Sequence, residues 1–468
     1  MSEIFRNPAN DDDYTAFLRS KEVKAPRRGM SAVPALSSHL KPIQAHCVAF
    51  ALESGGSGCF LDTGLGKTLA ELEFLTHAAD ASNGKAALLA PLTVGWQIHE
   101  EAKRFGYRSQ LVRAPDEVRE GINIFNYDIR DKFDLGVFGA GGLDESSIIK
   151  NFTGKTTRDL IDGFAGQRWK IAATATPAPN DHMEIGTHAE FLEVMHSNEM
   201  LSRFFINDTS TASQNWRLKG HAETAFWDWM ASWARMATLP SDLGFDDTGY
   251  ILPPLNIIPH RVDGGTLPMA EGMFSTIQMN ATNMHQVKRA TSSARATAAV
   301  EIAAADRDAW VLWVDTDYEA DAVRALMPDA VEVRGSMTAS EKETNLRRFA
   351  DGSKLKLITK PSICAYGLNF QFCHRTGFVG RSFSYELFYQ AVRRFWRFGQ
   401  INPVDVHLFL DEGEKSVGRV IDRKADDHLK MKVSMRAAMR RAIGIDAIVK
   451  SPYNPQHQGR MPGWLSVA

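Results

Sequence analysis

The run Leu61-Asp62-Thr63-Gly64-Leu65-Gly66-Lys67-Thr68 follows a short apolar stretch and opens an amphipathic one. Glycines in such a run let the backbone close around an anion, so that successive N–H groups point inward. A helix starting at the lysine adds the positive potential of its N-terminus. Lysine in this place reaches the terminal phosphates of a nucleotide, and the threonine after it offers a hydroxyl to a divalent cation. Thr63, Gly64, Leu65, Gly66, Lys67 and Thr68 are therefore candidate phosphate ligands, although Leu61 stands where the generic loop has glycine. A second Gly-Lys-Thr, Gly154-Lys155-Thr156, has no apolar strand before it and carries Ile149 at the first-glycine position. It reads as a polar segment whose Lys155 and Arg158 meet other anions.

Two further sets of residues suit the same chemistry. Adjacent carboxylates at a strand end point in different directions, so one can bind Mg²⁺ and the other can orient an attacking water. Asp144 and Glu145 follow the apolar run Leu135 to Phe138 and take those two roles in that order. Far downstream lies Gln390-x-x-x-Arg394-x-x-Arg397-x-Gly399-Gln400. Arginines at i and i+3 share a helix face, and planar guanidinium groups match the charge spread over a transferring phosphoryl group. Lysine loop and arginine segment are separated by more than half the chain, so the site is complete only when two parts of the molecule close on each other.

The surrounding elements are those such a site requires. Cys59 to Leu61, Ala86 to Ala90, Ile122 to Phe125 and Lys170 to Ala173 read as buried strands alternating with helical patterns, which implies a parallel sheet covered by helices. A second set begins near Ala296, with strands expected at Trp310 to Val314, Val331 to Val333, Leu355 to Ile358, Thr376 to Val379 and Val404 to Leu408. The division is a flexible leader over 1–35, a first lobe over 36–195, a helical insertion over 196–250, a linker over 251–295, a second lobe over 296–425, and a basic helix with a tail over 426–468. Phe226, Trp227, Trp229, Met230 and Trp233 fall within two helical turns and read as core more readily than as a base-stacking platform. The basic run from Arg419 to Arg441 reads equally as a solvated face or a phosphate-tracking brace, and Met431, Met435 and Met439 give it an apolar seam.

Composition sets bounds on the class. The chain has 468 residues, 44% hydrophobic and 24% charged, and no apolar run long enough to span a membrane. Its N-terminus lacks the apolar core of a secretory signal, and a cytoplasmic protein is expected. The net charge of −2 gives no overall attraction to nucleic acid, so such a partner would need a local basic groove. Cys47, Cys59, Cys364 and Cys373 form no Cys-x-x-Cys pair and are expected to be reduced.

With these elements assembled, the chain resembles the superfamily-two helicases, in particular compact Snf-type DNA translocases of phage or bacterial form. Gly64-Leu65-Gly66-Lys67-Thr68, Asp144-Glu145-Ser146 with Lys150-Asn151, Thr174-Ala175-Thr176-Pro177, Gly367-Leu368-Asn369 and Gln390 to Gln400 stand in the family's order. Leu40 to Gln44 is similar to the upstream glutamine motif, Asn126-Tyr127-Asp128 to its Asn-Tyr-acidic segment and Ala90 to Trp96 to a strand-contacting motif. The resemblance implies two RecA-like, P-loop-type α/β lobes with a cleft between them and ATP and Mg²⁺ as cofactors. It implies nucleotide contacts from Gln44 and Gly367, and a metal held by Thr68 and Asp144. Lys67, Glu145, Gln390, Arg394 and Arg397 would be catalytic. Pro91, Trp96, Thr174, Thr176, Gly335 and Asn369 would serve nucleic acid or coupling to it. The expected function is ATP-driven movement along DNA, double-stranded DNA above all. The rivals are an RNA helicase and a non-hydrolysing, ATP-gated nucleic-acid-binding module.

Overall fold

The computed structural model describes residues 24–92, 94–179, 181–208, 215–262, 281–364, 370–382, 384–410 and 415–444. The chain builds two parallel sheets. The first lobe runs through α1 (Pro42–Ser54), β1 (Gly56–Leu61), α2 (Lys67–Asp80), β2 (Lys85–Ala90), α3 (Gly95–Arg104), β3 (Ser109–Leu111), β4 (Gly121–Asn126), β5 (Ala140–Asp144), α4 (Lys155–Gly163), β6 (Trp169–Ala173) and α5 (Ile185–Phe191). It continues through α6 (Ser197–Phe204), the antiparallel pair β7 (Phe205–Asp208) and β8 (Asn215–Leu218), α7 (Glu223–Ala231) and β9 (Ala234–Ala237). Its seven strands lie in the order β3-β4-β2-β5-β6-β1-β9. Apart from the edge strand β3 they are largely buried on both faces, so most appear in sequence as short apolar runs.

The second lobe comprises β10 (Leu255–Arg261), α8 (Ala281–Ala305), β11 (Trp310–Trp313), α9 (Asp317–Leu326), β12 (Val331–Val333), α10 (Ala339–Ala350), β13 (Lys356–Thr359), β14 (Arg375–Phe378), α11 (Tyr385–Val392) and β15 (Val404–Leu410). Its strand order is β10-β15-β14-β11-β13-β12. The chain then forms a long helix, α12 (Lys415–Ala442). These are the two RecA-like lobes expected. No helix among the described residues is long and apolar enough to cross a membrane.

Several boundaries differ from those read in the sequence. The stretch 196–250 is not purely helical: β9 pairs in parallel with β1 and completes the first sheet. Its aromatic stripe is core, with Phe226, Trp229 and Trp233 all but fully buried. The supposed linker contains β10, which pairs along its length with β15. Pro259 is tolerated there because β10 is an edge strand and one side of it needs no N–H donor. The basic C-terminal segment begins earlier than 426, at Lys415, and docks on the first lobe: Met431, Met435, Ala438 and Met439 join that lobe's core.

The strand before the Asp-Glu pair lies on Ala140-Gly141-Gly142-Leu143-Asp144, and Leu135–Val137 is a 3₁₀ turn. Glycines suit this strand because helices lie directly on it. A Cβ at Gly141 would sit 2.5 Å from the ring of Phe164, and one at Gly142 would sit 2.9 Å from Leu75. Phe164 is fully buried and cannot yield. Gly141→Ala should therefore lower the unfolding free energy by about 1–3 kcal/mol, read from urea unfolding curves; an unchanged midpoint would mean that the helix can move away from the strand.

Candidate active site

Parallel strands deliver the loops at their C-terminal ends to one edge of the sheet. β6 lies between β1 and β5. The turn after β6 therefore falls between the loop after β1 and the carboxylates after β5. That turn is Thr174-Ala175-Thr176, and both threonines are fully buried. Thr174 Oγ1 lies 3.5 Å from Glu145 Oε2 and accepts the Thr176 N–H at 3.1 Å. Glu145 itself has φ +53°, a left-handed turn that starts the 3₁₀ segment Ser146–Lys150.

The loop after β1 is a tight cradle. Gly64 and Gly66 have φ of +92° and +84°, where side chains are strained. Space also excludes them: a Cβ at Gly66 would lie 1.9 Å from the Gln44 amide, and one at Gly64 would lie 2.8 Å from Phe398. Gln44 braces the loop, accepting the Lys41 N–H at 3.0 Å and donating to the Leu65 carbonyl at 3.1 Å. Lys67 Nζ donates to the Leu61 carbonyl at 2.9 Å. Thr68 opens α2 beside it.

The second lobe meets this cradle directly. Arg393 pairs with Asp62 at 3.0 Å and donates to the Thr63 carbonyl at 3.1 Å. Tyr389 Oη donates to Asp62 at 2.8 Å. Arg394 lies 3.7 Å from Glu145, and Gln390 Nε2 lies 3.5 Å from Thr176 Oγ1. Lys150 forms an ion pair with Glu386 across the same seam. Lys41 Nζ stands 4.1 Å over the Phe398 ring. The lysine loop and the arginine segment thus share one cleft, with the lobes closed on each other.

The arginines are not on the regular helix that their spacing suggested. α11 ends at Val392, and Arg394 and Arg397 lie in the turns that follow. Gly399, at φ +90°, and Gln400, whose amide donates to the Gln371, Cys373 and Phe395 carbonyls, fold those turns back. The effect is to place Arg393, Arg394 and Arg397 together. Burial and the charges of Arg394 and Arg393 pull the Arg397 guanidinium down to about 10, and its Nε has no hydrogen-bond partner. A crowd of buried cations of this kind fits a polyanion such as a nucleotide triphosphate.

The carboxylates fit a cation in turn. Burial and the neighbouring Glu145 raise Asp144 to about 7. Glu71, one turn beyond Lys67 on α2, is fully buried with neither oxygen hydrogen-bonded; burial and Asp144 push its carboxyl well up. Among the described residues no three His, Cys, Asp or Glu side chains converge as a metal cage. One carboxylate and one hydroxyl are what Mg²⁺ takes from a protein when water and phosphate supply the rest.

The remaining predicted residues fall as follows. Pro91 and Leu92 line the first-lobe rim of the cleft beside Glu145 and Lys150, and Trp96 is exposed near the start of α3. Gly335 is exposed on the second lobe beside Arg334, Ser336 and Lys360. Gly367 and Asn369 lie outside the described residues. Lys155 and Arg158 of the second Gly-Lys-Thr pair with Asp131 at 3.0 Å and Glu190 at 2.8 Å, in keeping with the polar reading. All four cysteines are free and buried. Sequence reasoning missed Arg393, Tyr389, Glu386 and Glu71. It noted Lys432 only as one cation of a run. Arg393 adjoined a residue already chosen, and Glu71 was a charge set among apolar residues; those were the available signals.

No family model matches the chain, and no curated protein matches it. Among solved structures the chain is similar to the Sulfolobus solfataricus SWI2/SNF2 ATPase core in complex with dsDNA, at 15% identity and a TM-score of 0.42, over 88% of this chain and 99% of that one.

Two outcomes follow from burial at this site. Asp62→Asn leaves Arg393 and Lys432 buried without their counter-charge, so unfolding free energy should fall by about 3–5 kcal/mol in denaturant titrations. His188 accepts from or donates to Ser146 Oγ at 3.1 Å behind the Asp-Glu turn. Burial depresses its pKa from 6.5 to about 4. The unfolded chain therefore takes up this proton first as pH falls. Stability conferred by neutral His188 is complete above pH ~6.5 and should drop by about 2 kcal/mol between pH 7 and pH 5. His188→Phe should remove that part of the pH dependence; an unaltered pH slope in the variant would assign it elsewhere.

Proposed function

We propose that this chain is a nucleic-acid-stimulated ATPase that moves along DNA, with duplex DNA as its track. One observation carries the reading: Arg393 and Arg394 of the second lobe reach Asp62 of the lysine loop and Glu145 of the carboxylate pair, at 3.0 and 3.7 Å. Phosphate chemistry at such a cleft depends on whether the lobes are closed, and a motor needs that dependence.

The residues divide the work. Lys67 and the N–H groups of Gly64 to Thr68 hold the triphosphate, braced from behind by Gln44. Thr68 and Asp144 would hold Mg²⁺, which when bound would neutralise charge on the phosphate oxygens. Glu145 orients and takes a proton from water. Arg394 and Arg397 face the charge that develops on the transferred group. Gln390, Thr176 and Thr174 form a polar line from the arginine segment to Glu145, and it crosses the seam between the lobes. Pro91, Trp96 and Gly335 contact the nucleic-acid backbone, which implies little sequence preference and strong salt dependence. The choice of DNA and of duplex follows from the Snf-type order of motifs.

The test is ATP turnover with single-stranded DNA, duplex DNA and RNA. Duplex DNA should give the largest stimulation. Arg397→Ala should lower kcat by about 10³-fold or more, and Glu145→Gln should abolish turnover while ATP still binds. Stimulation by RNA alone would replace this reading with an RNA helicase. Phosphate release equal in Lys67→Ala and parent protein would replace it with an ATP-gated binding module.

A further inference from the structure

Asp62 carries more partners than the two lobes supply. It is buried at 4% exposure in the phosphate loop, and its second oxygen accepts from Lys432 Nζ at 2.9 Å. Lys432 also donates to Tyr389 Oη at 2.8 Å and is itself buried at 7%. It belongs to α12, which leaves the second lobe after β15 and packs on the first. α12 is fastened there twice over. Met431, Met435, Ala438 and Met439 enter the first-lobe core. Arg436 pairs with Asp242, Arg441 pairs with Asp228 at 2.6 Å, and Ser434 donates to Glu223 at 3.3 Å. In the described half of this basic helix, Lys432, Arg436 and Arg441 are taken up by first-lobe carboxylates, while Leu429, Lys430 and Val433 face solvent.

We infer that Lys432 is a positioning residue of the ATP site: α12 is a strap whose lysine holds Asp62 and Tyr389, and through them holds the phosphate loop in register with Arg393. The Asp62 carboxylate has four polar contacts, from Thr63 N–H, Tyr389, Arg393 and Lys432. Without Lys432 one oxygen of a buried carboxylate loses its cation, and Tyr389 loses the donor that orients its hydroxyl. Asp62 and Arg393 would then be free to shift along the cleft. Lys432 touches neither Lys67 nor Glu145 in any hydrogen bond described, so its effect is on geometry and nucleotide affinity, not on the chemical step. The inference rests on the proposed ATP site.

The experiment uses the full chain. Binding of a fluorescent ATP analogue to the parent protein comes first; failure to bind would overturn the proposed function itself. In a parent that binds, Lys432→Met should weaken nucleotide binding and raise the KM for ATP about ten-fold, with a smaller change in kcat and no change in affinity for duplex DNA. Lys432→Arg, which restores the cation, should recover most of the loss. Arg441→Ala loosens the strap away from Asp62 and should leave the KM within two-fold. Circular dichroism melts keep the comparison below each variant's unfolding temperature. The assignment is overturned if Lys432→Met lowers only the melting temperature, if it weakens DNA binding while the KM stands, or if Arg441→Ala raises the KM as much as Lys432→Met does.

Discussion

A single buried carboxylate ties together three distant parts of the chain. Asp62, Arg393 and Lys432 are each less than a tenth exposed, and Tyr389 adds a hydroxyl. Burial by itself would push the Asp62 carboxyl up; the two cations outweigh it and hold the group far below the usual carboxylate range. Such an arrangement gives little net stability over an apolar one, because each charge has left water. What it gives is register. The cations can be satisfied only if the phosphate loop, the end of α11 and the middle of α12 occupy one relative position. Every contact across the cleft, from Arg394 and Glu145 to Phe398 over Gly64, presupposes that position.

The sheet topology prepares for this closure. β1, β6 and β5 are neighbours, so the lysine loop, the threonine turn and the Asp-Glu pair stand side by side on the first lobe before the second lobe contributes anything. Glycine then sets how near the lobes come. Gly64 lets Phe398 reach the loop, and Gly141 and Gly142 let Phe164 and Leu75 lie directly on β5. Polar contacts finish the seam at both ends, with Lys150 and Glu386 at the rim and Gln390 and Thr176 inside.

Much of this was legible from residue types. Strands buried on both faces appear as apolar runs, and those at β2, β4, β6, β11 and β15 were found within a residue or two, while β1 starts three residues before its apolar part. β5 was not, because two of its five residues are glycine and its burial comes from neighbours that use the missing side chains. β10 contains proline, which argues for a connector unless the strand is known to be an edge, and edges are decided by tertiary order. The i, i+3 spacing of Arg394 and Arg397 suggested a helix face, yet Gly399 and the Gln400 amide stop the helix at Val392 and bring a third arginine in. The partnership of Lys432 with Asp62 spans 370 residues. No local pattern encodes it: a lysine in a basic helix looks the same whether it faces water or a buried acid.

The distribution of apolar and charged contacts divides the molecule differently from its two sheets. The methionine seam of α12 is continuous with the first-lobe core, so separating the helix from that lobe would expose apolar surface. The contacts between the second lobe and the phosphate loop are instead mostly ion pairs and hydrogen bonds, which water or a bound anion can replace, with Phe398 packed on Gly64 beside them. The weaker seam therefore runs between α11 and the loop. The helix is docked on the first lobe although it follows the last strand of the second. A strap attached in this way limits how far the lobes separate while leaving the arginines able to exchange Asp62 for another anion. Under the proposed ATPase reading, a fixed tether beside a replaceable charge pair would let nucleotide occupancy set lobe position without the chain losing the geometry to which it must return.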